Sequence, residues 1–89
     1  MQFLVICRPA AGGDPGEFSR LVPLETQVMR EQQARGTLTG AWSPGRPGAV
    51  LMLEVADAEA AARVLAGFPL VEAGLITTEV IPLHPINLG

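Results

Sequence analysis

Residues 37–55 read Thr37-Leu38-Thr39-Gly40-Ala41-Trp42-Ser43-Pro44-Gly45-Arg46-Pro47-Gly48-Ala49-Val50-Leu51-Met52-Leu53-Glu54-Val55. The segment Pro44–Gly48 has the composition of a turn and nothing else. The stretches on either side, Thr37–Ser43 and Ala49–Val55, favour strand, so the whole predicts a hairpin. Its arms differ. Ala49–Val55 is apolar at nearly every position, as a strand covered on both faces requires. Thr37, Thr39 and Gly40 dilute the first arm and mark it as an edge.

Outward from the hairpin, each half of the chain supplies a strand and a helix. Phe3–Cys7 is a second continuous apolar run, closed by Arg8-Pro9. The loop Ala11–Gly16 contains Asp14-Pro15, a helix-start signature. From Glu17 to Arg35 the apolar residues follow a helical period, interrupted at Pro23, and Gly36 stops it. After the hairpin, Asp57 caps a short helix, Ala58–Ala66, that ends at Gly67. Leu75–His84 supplies the last strand. The order is β-α-β-β-α-β, the ferredoxin-like arrangement of α+β folds. It implies a four-stranded antiparallel sheet with two helices on one face, and residues 1–89 as a single domain.

Composition sharpens this picture. Of the 89 residues, 48% are hydrophobic and 17% charged, which excludes a disordered segment. A core this small does not use so many apolar side chains. Two helices cover one face of the sheet, yet Phe3–Cys7 and Ala49–Val55 are apolar on both. A second copy packed sheet to sheet, forming a dimeric α+β barrel, accounts for the surplus. The net charge of −3 and six scattered arginines, with no lysine, give no footprint for nucleic acid. The single cysteine, Cys7, forms no intramolecular disulfide. The N-terminal apolar run is too short for a signal peptide or a membrane span, so the expected compartment is the cytoplasm.

The first helix carries the chemistry. At about 100° per residue, Phe18, Leu21, Val22, Leu24, Val28 and Met29 share one broad arc, while Ser19, Arg20, Thr26, Gln27, Arg30, Glu31 and Gln33 face away. Glu25 and Gln32 fall near the centre of the apolar arc, two turns apart. A carboxyl group placed there is fitted by burial for proton transfer near neutral pH. The alternative is that Pro23 shifts the wheel and leaves Glu25 in an exposed first turn. His84, the lone imidazole, ends the last strand, where a cleft often opens. Trp42 suits packing, an interface or a pocket wall. Arg8, just past the first strand, suits an anionic substrate. The glycine-rich loop at residues 12–16 fits neither nucleotide-binding spacing, and no metal-ligand spacing is present. The reading therefore requires no cofactor and no metal.

With these residues placed, the chain resembles the muconolactone delta-isomerase family. The likeness begins at Asp14-Pro15 and runs through Glu25 to Gly36-Thr37. It resumes at Trp42 and continues through Asp57-Ala58-Glu59-Ala60, Phe68-Pro69-Leu70, Glu79-Val80 and His84-Pro85. The resemblance implies dimeric α+β barrels, often assembled into larger rings, and a cofactor-free double-bond shift in a small lactone acid. It matches Glu25, Trp42 and His84 to residues of the family. The absence of lysine and tyrosine, and the apolar surroundings of the first helix, depart from members that handle a carboxylated lactone.

The expected function is thus a cofactor-independent isomerase or cyclase acting on a small enolisable compound, such as a lactone or a polyketide-like intermediate. Glu25 and His84 are the candidate catalytic residues, and Arg8, Phe18, Met29, Gln32 and Trp42 the candidate substrate-binding residues. A cofactor-free monooxygenase of the same fold and a non-catalytic ligand-binding or oligomeric module are the alternatives.

Overall fold

The computed structural model describes residues 1–89. In chain order they form β1 (Gln2–Pro9), α1 (Pro15–Ala34), β2 (Leu38–Trp42), β3 (Ala49–Glu54), α2 (Ala58–Ala66), α3 (Pro69–Glu72) and β4 (Ile76–Leu83). The strands make one antiparallel sheet in the order β2-β3-β1-β4. The two apolar strands are therefore central and the two diluted ones are edges. Pro82 lies in β4, where an edge strand tolerates a residue without an N–H.

Strand register divides the sheet into two faces. Phe3, Val5 and Cys7 alternate with Leu4 and Ile6 along β1, and their partners on β3 place Leu51 and Leu53 beside the first set. This first set faces the helices and is buried together with Leu21, Leu38, Ala61, Leu65, Phe68 and Leu70. Opposite lies a face with no helix over it. Leu4 pairs with Met52 and Ile81, and Ile6 pairs with Val50, itself the partner of Trp42. The sequence is 48% hydrophobic, yet 13 of 89 residues are buried. Leu4, Ile6, Trp42, Val50, Met52 and Ile81 are among the remainder and stand on this open face.

Several local boundaries differ from the sequence reading. α1 begins at Pro15, where the Asp14-Pro15 signature puts a helix start, and the Asp14 side chain accepts from the Gly16 N–H at 2.9 Å. It then runs unbroken through Pro23. A proline there removes one bond, the one to the Ser19 carbonyl, and Ser19 is on the exposed side of the helix, where the loss costs least. Val22 and Leu24 belong to the expected apolar arc but are 40% and 49% exposed. They sit at its two margins, and the covered stripe is narrower than the arc. α3 is a short helix absent from the sequence reading. Pro69 at its first turn fixes φ, and Phe68 and Leu70 anchor it in the core. β4 ends at Leu83, so His84 follows the strand instead of closing it.

The hairpin turn is tied closely to β1. Gly48 has φ +122°, and a Cβ there would stand 2.5 Å from the Cys7 carbonyl oxygen. Gly48→Ala is expected to cost about 1–3 kcal/mol, read as a lower urea midpoint. An unchanged midpoint would show that the turn tolerates a side chain. No helix is long and apolar enough to cross a membrane.

Candidate active site

Glu25 occupies the middle of α1 on the stripe turned toward the sheet and α3. Its side chain is half-buried, and its Oε1 accepts a hydrogen bond from the Leu70 backbone N–H at 3.1 Å. That N–H is one of the unpaired donors of the first turn of α3, so the carboxylate ties the short helix to α1. Burial pushes the carboxyl group above its ordinary range, and the Leu70 bond opposes this without cancelling it. The exposed first-turn alternative for Glu25 does not hold, because α1 continues through Pro23 and keeps the wheel in phase.

Cys7 lies behind Glu25 on the helix-facing side of β1. Burial, with a smaller contribution from the Glu25 charge, raises its thiol from 9.0 to about 11. The folded state thus favours the protonated thiol, and stability contributed by Cys7 declines as pH rises from about 9 through about 11. In the native protein Cys7 is expected to resist an aromatic disulfide reagent at pH 8 and to react at once in denaturant. Equal labelling rates in the two states would contradict its burial.

The remaining candidates are dispersed. Phe18 lines an apolar cavity of about 360 Å³ at the start of α1, together with Pro9, Pro15, Pro47, Leu75 and the side chains of Asp14 and Ser19. Met29 lines another of about 260 Å³ between α1 and β2. Gln32 is partly buried on the same stripe as Glu25. Trp42 is 56% exposed on the open sheet face, its ring lying across Gly40, so that a Cβ there would require the indole to shift. Arg8 is on the open face as well, and its Nη1 donates to Glu79 Oε1 at 3.0 Å. His84 lines a cavity with Met1, Gln2 and Glu54. It lies six residues beyond Thr78, the β4 partner of Cys7, which is roughly 20 Å along the strand. Within one chain the structure therefore does not bring His84 to Glu25, and Glu25 lines none of the five cavities.

Two participants escaped the sequence reading. The Leu70 N–H carries no side-chain signal, and Pro69 preceding it was the only hint of a helix start. Cys7 was read as an ordinary strand residue, and its proximity to Glu25 arises only from packing. Histidine, cysteine and acidic side chains nowhere gather in groups of three or more that would hold a metal ion.

The four-stranded antiparallel sheet with helices on one face defines an α+β fold of the ferredoxin-like class, with a half-buried glutamate on its first helix. The chain belongs to the muconolactone delta-isomerase family, whose model matches residues 1–87. Among solved structures it is similar to a muconolactone isomerase, at 25% identity and TM-score 0.77, covering 100% of this chain and 96% of that one. It also shares the fold of 5-chloro-2-hydroxyhydroquinone dehydrochlorinase (TftG) from Burkholderia phenoliruptrix AC1100, solved in complex with 2,5-dihydroxybenzoquinone. That match has 16% identity and TM-score 0.73, covering 94% of both chains. No curated protein matches. The family and fold support an isomerase or a related enzyme acting on a small molecule.

Proposed function

We propose that this protein is a cofactor-independent isomerase that moves a proton, and with it a double bond, within a small enolisable compound. The observation that carries this reading is Glu25: a carboxyl group held half out of water on the inner stripe of α1, its affinity for a proton raised by burial. Such a group takes a proton from carbon beside a carbonyl and returns it to a conjugated carbon. The C–H electron pair becomes the enolate π bond, and the enolate collapses with the double bond displaced. No electrons leave the substrate, so the step needs no oxidant. Gln32, two turns along the same stripe, is placed to donate its amide N–H to the enolate oxygen. Phe18 and Met29, partly buried on the same side of α1 as Glu25, are assigned the apolar walls of the substrate site.

The reading includes an assembly. The open sheet face, carrying Leu4, Ile6, Val50, Met52, Ile81 and the exposed Trp42, is assigned to a second copy of the chain packed sheet to sheet. His84 is assigned the second acid/base role. Because it stands apart from Glu25 in one chain, that role requires the assembly to bring an imidazole to the site.

Exchange of substrate C–H with deuterated water, followed on enolisable lactones and cyclic enones, tests the shuttle. Exchange that depends on Glu25 supports it. Exchange at the wild-type rate in Glu25→Gln would remove Glu25 from the mechanism. Full activity in His84→Ala would leave Glu25 as the sole shuttle, whereas its loss would indicate that a neighbouring copy completes the site.

A further inference from the structure

The first turn of α3 leaves one backbone donor without a backbone partner. Pro69 has no N–H, and the N–H groups of Phe68, Val71 and Glu72 donate to the carbonyls of Leu65, Phe68 and again Phe68 at 2.9–3.0 Å. The Leu70 N–H finds no carbonyl. Its acceptor is Oε1 of Glu25 at 3.1 Å, 45 residues away along the chain. We infer, on the reading of Glu25 as the proton shuttle, that the Leu70 N–H is its positioning group: it holds Oε1 and leaves Oε2 as the atom that takes the substrate's proton and returns it. The C–H electron pair stays with the substrate throughout, and only the proton visits Oε2.

The donor is fixed before any substrate arrives. Leu70 and Phe68 are buried in the core, and the Pro69 and Leu70 carbonyls accept from the Ala73 and Leu75 N–H groups, each at 3.0 Å. The peptide that carries the Leu70 N–H is therefore held on both sides, and it reorganises little as charge leaves and returns to the carboxylate. The acceptor has no competing partner. No other hydrogen bond or ion pair within the chain reaches Glu25, so Oε2 keeps its lone pairs. A free glutamate carboxyl turns broadly about its last torsion. With one oxygen pinned by a neighbouring element, the other is presented in one direction. The bond also favours the charged form that a base must have, against the burial that disfavours it. Other ionisable groups compete little. Cys7 on β1 stays neutral well above neutral pH, its thiol being raised to about 11. Arg8 points to the opposite face of β1, and β2 has no ionisable side chain. Glu72 on α3, Glu59 and Arg63 on α2, and Arg30 and Glu31 on α1 are exposed, while Glu17 pairs with Arg20.

Replacing Leu70 with leucic acid, its α-hydroxy analogue, tests this in the full chain, because the resulting ester lacks the N–H and keeps the buried side chain. The matching ester at Val71 is the control. It removes a bond inside α3, the one to the Phe68 carbonyl, and leaves Glu25 its donor. In wild type, the carbon-13 signal of the Glu25 carboxyl, assigned by its loss in Glu25→Gln, and the Leu70 amide proton should titrate with one midpoint. In the Leu70 ester, that midpoint and the acidic limb of kcat/KM for C–H exchange should both rise by about one pH unit. Exchange above the limb should slow roughly tenfold as the carboxylate loses its aim. In the Val71 ester both should keep their wild-type values. A Leu70 amide proton indifferent to the Glu25 titration, an unmoved midpoint in the Leu70 ester, or an equal shift in the Val71 ester would each overturn the inference. The first of these outcomes is read in wild type, so it decides the matter even where the Leu70 ester fails to fold. Failure of the shuttle itself is distinct: Glu25→Gln then exchanges at the wild-type rate, whatever the titrations show.

Discussion

Glu25→Gln is expected to slow exchange of substrate C–H with deuterated water by about 10²–10⁴-fold, the range that a positioned general base contributes. The substitution preserves shape, and an amide oxygen still accepts from the Leu70 N–H, so α3 should remain docked. The loss would then report chemistry and not unfolding. The pH profile gives a second readout. A base works in its deprotonated form, and burial raises the Glu25 carboxyl above 4.5, so the acidic limb of kcat/KM should inflect above that value. Stability moves the other way. A carboxyl group with a raised folded pKa binds its proton more tightly folded than unfolded, so its contribution is complete below about pH 4.5 and is lost as pH rises through the folded pKa. The urea midpoint of wild type should therefore fall across that window, and Glu25→Gln should lose this dependence. A profile identical in both proteins would mean that another group titrates.

Ile6→Asp is expected to convert the assembly to monomers without unfolding the chain. Ile6 sits on a central strand on the open face, with Val50 and Glu79 beside it and no helix over it within one chain. A carboxylate there remains hydrated in a monomer. In a sheet-to-sheet dimer the two-fold axis brings in two such charges, each unpaired and each costing about 3–5 kcal/mol. Together they should weaken the dimer on the order of 10⁴-fold or more. Light scattering at micromolar concentration decides the matter. Wild type should have at least twice the chain mass and Ile6→Asp the mass of one chain, with matching far-ultraviolet circular dichroism. A monomeric wild type would refute the barrel, and an undiminished Ile6→Asp assembly would place the interface elsewhere.

How much was legible beforehand follows from which interactions are local. The hairpin arms, the central position of the apolar strands and the helix caps at Asp14 and Asp57 all depend on neighbours a few residues away, and they appear as expected. Periodicity put Glu25 near the centre of the apolar arc with an exposed first turn as the alternative, and the continuous helix through Pro23 decides for the arc. Pro23 misled because its cost falls on one solvent-exposed carbonyl instead of a buried one. Val22 and Leu24 misled because periodicity gives the direction of a stripe, whereas its width is set by how much of the helix its neighbours cover. α3 was missed because four residues are too few for a period to register, and its anchors act through the core.

By itself, then, the sequence determined the order of the elements and the two-sided apolar character of β1 and β3, and it narrowed Glu25 to two positions that the unbroken helix then decided between. These are consequences of residue type and spacing. Only the tertiary structure decided that the Leu70 N–H meets Glu25, that Cys7 lies within reach of its charge, and that His84 stands at the other end of the sheet. Each of these joins groups far apart in sequence, through crossings whose distances depend on how side chains fill the space between layers. Periodicity in one element says nothing about what another element brings to meet it.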